Sequence, residues 1–347
     1  VSNKIKKYNT GYILLPVIIG LSVITIMFYR EFNPALLKDI KFTWQTAFYI
    51  LLAIFFMFSR DVGLIWRYRY ITDKQLSWKQ AFNVNVLCEF TSAVTPSSVG
   101  GSSLIVWFLN REGIEAGRST ALMITCLFLD ELFLVIATLL ILLLFPFNIL
   151  FSSTTIITSS AEILFFIIYS AIALWTLILY IALFHKPHWI GNLLRKLFSL
   201  RFLKKWRISI YNLADNLENS SHEISKRPIS FWNKAFILTI FSWISRYLVV
   251  VALLLAFNSS GNYFLAFARQ FVLWILMGIS PTPGGSGLSE FMFKEYYSDF
   301  FTVTGMALVV AFIWRIITYY MYLLLGTIIV PGWLKSTSKI DKDSAIK

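Results

Sequence analysis

Seven ionisable side chains stand inside stretches of this 347-residue chain that are otherwise apolar: Glu89, Asp130, Glu131, Arg246, Arg269, Glu290 and Arg315. Arg60 and Asp61 lie nearer the end of another such stretch. In a hydrocarbon interior each would cost roughly 2.5–3.5 kcal/mol on insertion scales, so each needs a partner or a water-filled cavity. Two chemistries follow. Cations and carboxylates can pair and merely fix helix packing, or they can line a path that binds a charged headgroup or ion. For Asp130, Glu131 and Arg246 the two readings weigh equally. Asn85, Glu89 and Ser92 share one helical face at i, i+4 and i+7, a polar stripe that must meet protein or water.

Glu290 closes the run PTPGGSGLSE (281–290), which follows directly on the apolar segment FVLWILMGIS. Prolines fix a turn, and glycines let a ligand approach the backbone closely. A half-helix starting at such a break exposes its first amides and the positive end of its dipole. An anionic phosphate fits that end. The other reading is that the glycines only permit tight helix crossing.

The elements around these residues are membrane elements. Of all residues 57% are hydrophobic and only 14% charged, against about 25% charged in a soluble domain. Six stretches reach the ~20 apolar residues that a ~30 Å hydrocarbon core requires: 12–29, 43–66, 119–145, 161–184, 231–257 and 302–330. The first follows Lys4, Lys6 and Lys7 but lacks a signal-type cleavage site, so it reads as a retained span. Two more stretches, 80–109 and 262–299, are each cut by turn chemistry, at TPSSVGGSS (95–103) and at PTPGGSGLSE.

Lys and Arg cluster at the N-terminus, at 67–79 (Arg67, Arg69, Lys74, Lys79), at 111–118, at 186–227 and in the C-terminal tail, whereas 146–160 has no charge and 258–262 is NSSGN. The positive-inside rule puts the first set, with both termini, in the cytoplasm and the other two segments outside. Six spans satisfy this if both cut stretches return to the side they entered, the first from the cytoplasm and the second from outside. Thr95-Pro96 then aligns with Thr282-Pro283 and Gly100 with Gly287, a T-P-x-x-x-G repeat presented from opposite faces. The expected fold is an all-α polytopic membrane protein of about six spanning helices and two re-entrant helical hairpins in an inverted repeat. It forms one membrane domain over 1–347: a first half 1–184 with hairpin 80–109, a basic stretch 185–230, and a second half 231–334 with hairpin 262–299. Eight ordinary crossings fit the hydropathy too, and also leave both termini inside.

Within 185–230 apolar residues recur at helical spacing, with Arg195, Lys196, Lys204, Lys205 and Arg207 largely between them. This reads as a basic amphipathic helix on the cytoplasmic leaflet, drawn to anionic lipid. The net charge of +13 follows span ends and forms no nucleic-acid motif. His185 and His188 lack a third ligand, and Cys88 and Cys126 lack partner spacing, so neither a metal site nor a disulfide is expected. No P-loop, zinc motif or nucleophile elbow appears, which leaves ATP-driven transport and standard hydrolysis without support and implies no cofactor.

The run TPSSVGGSSLIVWFLNREG, the element PTPGGSGLSE and the segment WRIITYYMYLLLG (314–326) together resemble the lysylphosphatidylglycerol synthase transmembrane-region family. The resemblance covers essentially the whole chain. It implies a membrane domain of the kind that flips aminoacylated lipid in multiple peptide resistance factors. Pro281, Thr282, Pro283, Gly284, Gly285, Gly287 and Glu290 match its second motif, and Arg315, Thr318 and Tyr319 its last-span motif. Many members carry a Glu after the first glycine, where this chain has Gly101-Ser102-Ser103. The soluble synthase-type domain does not follow the last span, so the expectation is a non-enzyme that does not make lysyl-lipid by itself.

Three classes follow: a lipid translocator in the cell membrane, an accessory protein that binds or regulates a lipid-modifying enzyme, and an intramembrane enzyme. The first leads. Its headgroup path would run past Glu89, Thr95, Pro96, Gly100, Gly101, Arg269, the second motif, Arg315, Thr318 and Tyr319. Anionic phospholipid is the expected partner; a homo-oligomer stays open.

Overall fold

The computed structural model describes residues 42–95, 99–151, 158–185, 189, 196, 207–257, 259–278, 280, 282, 284–303 and 305–344, with the backbone alone for 99–103, 158–160, 207–214 and 338–344. The expected span 12–29, the residues Arg195, Lys204 and Lys205, and Pro96, Pro281 and Pro283 lie outside the described residues. Lys196 is exposed.

All regular structure among the described residues is helical. The main helices are α1 (Trp44–Ile71), α2 (Trp78–Val94), α3 (Val99–Arg111), α4 (Ala116–Leu144), α5 (Thr158–Tyr180), α6 (Arg207–Ser225), α7 (Ile229–Ala256), α8 (Tyr263–Met277), α9 (Leu288–Tyr297), α10 (Met306–Arg315) and α11 (Met321–Ser344). Local chemistry sets several starts. Ser77 and Gln80 form a capping box at α2, and the Asn262 side chain accepts from the Phe264 and Leu265 amides at α8.

Five helices are long and apolar enough to cross a membrane: Trp44–Ile71, Ala116–Leu144, Ala161–His185, Ile229–Ala256 and Met306–Thr337. They coincide with five of the six expected spans. Their outward faces carry exposed Phe55, Leu143, Ile167 and Ile328, a surface suited to lipid. α2 and α8, at 17 and 15 residues, fall short of the ~20 needed to cross. Each instead folds back on the helix that follows it, α2 on α3 and α8 on α9.

Contacts at the two ends of the bundle fix the direction of these hairpins. At one end Asp73, between α1 and α2, accepts from Arg118 of α4 at 2.8 Å and from Arg227, before α7, at 2.6 Å. Both ends of the α2–α3 hairpin therefore open there. At the other end the Ser260 amide donates to Phe300 O at 2.8 Å, and Arg269 reaches Ile149 O, just past α4, at 2.9 Å. The α8–α9 hairpin opens at that end, so the two hairpins enter the bundle from opposite ends.

Two expectations change. The described part of the basic stretch, α6, lies against the bundle: Leu217 and Ser221 are buried, and Asn216 meets Glu115. Gly117 of α4 allows this, because a Cβ there would collide with the Asn216–Leu217 backbone. The expected apolar face at Leu217 is covered by protein and cannot lie in a leaflet. Arg67 is not a loop charge either, being 1% exposed and bound to Asp130 on both nitrogens, at 2.6 and 2.9 Å. Its position seven residues after Arg60 turns both guanidinium groups inward on one face of α1.

Candidate functional site

The two chain breaks meet inside the bundle. α2 ends at Val94 with carbonyls that its own helix leaves unpaired, and groups of this kind are costly away from water. Donors from the second break and from the last span take them: the Gly284 amide reaches Thr95 O at 3.4 Å, and the Tyr319 hydroxyl donates to Ala93 O at 3.2 Å. Thr95 itself donates back to Thr91 O at 2.7 Å.

Tyr319 and Arg315 follow from a local irregularity. Ile316–Tyr320 forms one π-helical turn between α10 and α11, a wider turn that recurs at functional sites. It sets the Arg315 guanidinium 3.9 Å from the Tyr319 ring centre. The same ring occupies the space above Gly284, where any Cβ would overlap it. Arg315 also donates to Gly284 O at 3.0 Å and stands 2.9 Å from Glu290 Oε1. Thr318 donates to Trp314 O at 2.8 Å, so its hydroxyl proton is held within its own helix.

Glu290 has a second task. Its Oε2 accepts from the Gly287 amide at 2.7 Å and from the Ser289 hydroxyl at 3.0 Å. The carboxylate thus caps α9, where the helix dipole favours a negative charge. The first donor of this half-helix, which the sequence reading left for a phosphate, is already in use. Thr282 bonds Ser286 O at 2.8 Å and the Gly285 amide bonds Thr282 O at 3.0 Å, so the turn is closed on itself.

Glu89 sits in a second cluster. Arg60 pairs with it and with Asp61 at 2.9 Å, and Tyr322 donates to Asp61 at 2.6 Å. Asn85 donates to the same Asp61 at 3.2 Å, which gives the expected stripe on α2 a protein partner. A third cluster holds Arg67, Asp130, Thr239 and the Trp243 indole N–H.

Between these clusters lie two adjoining cavities of about 100 and 400 Å³. The smaller touches both breaks through Ala93, Gly284 and Gly285 and includes Arg315, Thr318 and Tyr319; the larger runs past Arg67, Asp130 and Glu131 to Trp175. Glu89, Ser92, Arg246 and Trp274 line both. Charged side chains and apolar ones, among them Leu64, Ile105 and Leu134, share the lining.

Of the described path residues, Glu89, Thr95, Gly284, Gly285, Glu290, Arg315, Thr318 and Tyr319 come together, and Arg269 does not. Arg269 is held away from both cavities by Asp299 at 2.7 Å and by the carbonyls of Ile149 and Tyr296. A cation in the apolar helix that leads to the second break is a candidate headgroup ligand, but its guanidinium points to the end of the bundle. Gly100 and Gly101 begin α3, whose backbone starts at the first break. Sequence reasoning missed Arg60, Arg67, Tyr322, Trp243 and Trp274 as parts of this interior. The i, i+7 spacing of the two arginines was the available signal.

A helical bundle with five helices able to cross a membrane, and with paired charges around two interior breaks, defines a polytopic membrane protein built around a polar interior. The chain belongs to the lysylphosphatidylglycerol synthase TM region family, whose model matches residues 13–326. It is also similar to a UPF0104 membrane protein of Archaeoglobus fulgidus, 23% identical over 305 residues, which cover 84% of this chain and 89% of that protein.

Proposed function

We propose that this protein moves a phosphate-bearing lipid, anionic or modified, between the leaflets of the cell membrane, with the headgroup passing the two breaks. The observation that carries this reading is the charged, partly apolar space where hairpins from opposite ends meet at Thr95 and Gly284. Helices broken near the midplane recur at transporter substrate sites, and a lipid can keep its tails outside while its head crosses such a space. Both hairpins are then re-entrant, the first from the cytoplasm. Leaflet exchange of labelled phosphatidylglycerol in proteoliposomes tests the reading. Exchange should exceed that of empty vesicles and fall at least about tenfold in Arg315→Gln, because the second break loses the charge-assisted contact that holds Gly284 and Glu290 in place. Full exchange by the variant would sink the path.

Orientation has its own test. Asn110 and Ser298 are exposed at opposite ends of the bundle. Cysteines placed there should react with impermeant reagent from the cytoplasm and from outside, respectively. Labelling of Ser298→Cys from inside alone rejects the opposed hairpins.

The family description supports a second reading, in which the chain serves a lipid-modifying enzyme as its membrane part. Co-purification of such an enzyme through α6 and the Asp73–Arg227 end, with no intrinsic exchange, favours it.

A further inference from the structure

The guanidinium groups in the interior are not equivalent. Arg60, Arg67, Arg269 and Arg315 each stand within 2.9 Å of a carboxylate. Arg246 does not: among the described residues it makes no hydrogen bond or ion pair, and its guanidinium rests over Trp274 at 4.5 Å and near Trp243 at 6.0 Å. Cation–π contact offsets only about 1–2 kcal/mol, less than an arginine costs at membrane depth. Attraction to Glu89, which lines the same cavities, supplies part of the remainder, and an anion in the cavity would supply the rest. Arg246 lines both cavities, at the junction between them.

Among the described residues none of the carboxylates around it forms an ion pair with it. Glu89 of α2 belongs to Arg60, and Asp130 of α4 to Arg67. Glu131 lines the larger cavity, but one of its oxygens is buried without a partner. We propose that Arg246, stacked on Trp274, is the anion-binding residue of the cavity and takes the phosphodiester of a lipid headgroup. A planar guanidinium with its edge free offers the paired donors that a phosphate accepts. The larger cavity, at about 400 Å³, falls within the range of ~300–1,000 Å³ typical of ligand pockets. Arg315, the family-motif cation, is instead a positioning residue that holds the second break. The identity of the ligand as lipid rests on the translocator reading; the anion site itself does not.

Delipidated protein in neutral detergent is titrated with short-chain phosphatidylglycerol, with diacylglycerol of the same chains and with inorganic phosphate. Binding is read from tryptophan emission and from the melting temperature. Phosphatidylglycerol should bind saturably, Arg246→Gln should weaken it about tenfold or more, and Arg246→Lys should keep part of the affinity. Should the Gln variant fail to fold, Arg246→Lys carries the test, because weaker phosphatidylglycerol binding with diacylglycerol unchanged supports the site. Inorganic phosphate displacing the lipid also supports it, and equal affinity for phosphate and lipid identifies a free anion as the ligand. Diacylglycerol binding as tightly as phosphatidylglycerol, or no effect of either substitution, overturns the proposal. Exchange is scored separately: Arg246-dependent binding without exchange removes the translocator and keeps the site, and exchange without such binding does the reverse.

Discussion

The two broken hairpins differ in how they treat backbone that is freed far from water. The second closes on itself: Glu290 takes the Gly287 amide, Thr282 takes the Gly285 amide, and Arg315 takes Gly284 O. The first closes on its neighbour, since Ala93 O and Thr95 O accept from Tyr319 and Gly284. Among the described residues the second break thus serves as template for the end of α2. The asymmetry predicts that α2–α3 rearranges more readily than α8–α9 with the π turn.

Removing the carboxylate from the template should have the largest effect. Glu290 is 1% exposed, so Glu290→Gln leaves Arg315 buried without its counter-charge, a loss of about 3–5 kcal/mol. Thermal unfolding in detergent should show a large drop, partly restored in the double variant with Arg315→Gln. The matching change in the dependent hairpin, Glu89→Gln, leaves Arg60 its second carboxylate, Asp61, and should cost about 1 kcal/mol. Equal losses at Glu290 and Glu89 would erase the difference between the hairpins.

Within the template, Gly284 should be the next most sensitive position. Its φ of +56° lies in the left-handed region, and a Cβ would overlap the Tyr319 ring. Gly284→Ala should cost about 2–3 kcal/mol, from backbone strain and from displacing the ring. Gly285 shares the left-handed φ at +71°, but a Cβ there meets only ordinary contacts from 3.4 Å outward. Gly285→Ala should cost about 1–2 kcal/mol. The difference between the two melting temperatures reports the ring contact alone.

Much of the fold was legible because hydropathy and turn chemistry are local. The spans containing Trp44–Ile71 and Ile229–Ala256, the interruption after α2 and the one before Glu290 could all be read from composition along the chain. Pairings were not legible in this way. Arg67 was credited to a cytoplasmic loop because charge counting near span ends ignores which face of the helix a residue occupies. Arg269 reads as a path residue because a cation in an apolar stretch needs a partner, and the sequence says nothing of Asp299, which pairs with it. Arg246 and Glu131 could not be told from packing charges until the partners of every neighbouring charge were known. The π turn at Ile316–Tyr320 leaves no hydropathy trace; its only sign was the motif R-x-x-T-Y-Y, whose residues it re-aims.

The smallest expected effect is also the one most specific to the contact between the hairpins. Tyr319→Phe keeps the ring above Gly284 and beneath Arg315 but removes the hydroxyl that donates to Ala93 O and accepts from Ser286 at 3.4 Å. The template loses only the long bond from Ser286 and keeps its others, so the cost should be near 1 kcal/mol and fall mainly on the first hairpin. Hydrogen exchange at the end of α2, around Thr91 to Thr95, should quicken, while the amides of α9 stay as protected as before. Equal loosening of both hairpins would mean that the template depends on its partner as well, and the two breaks would have to be treated as one cooperative unit.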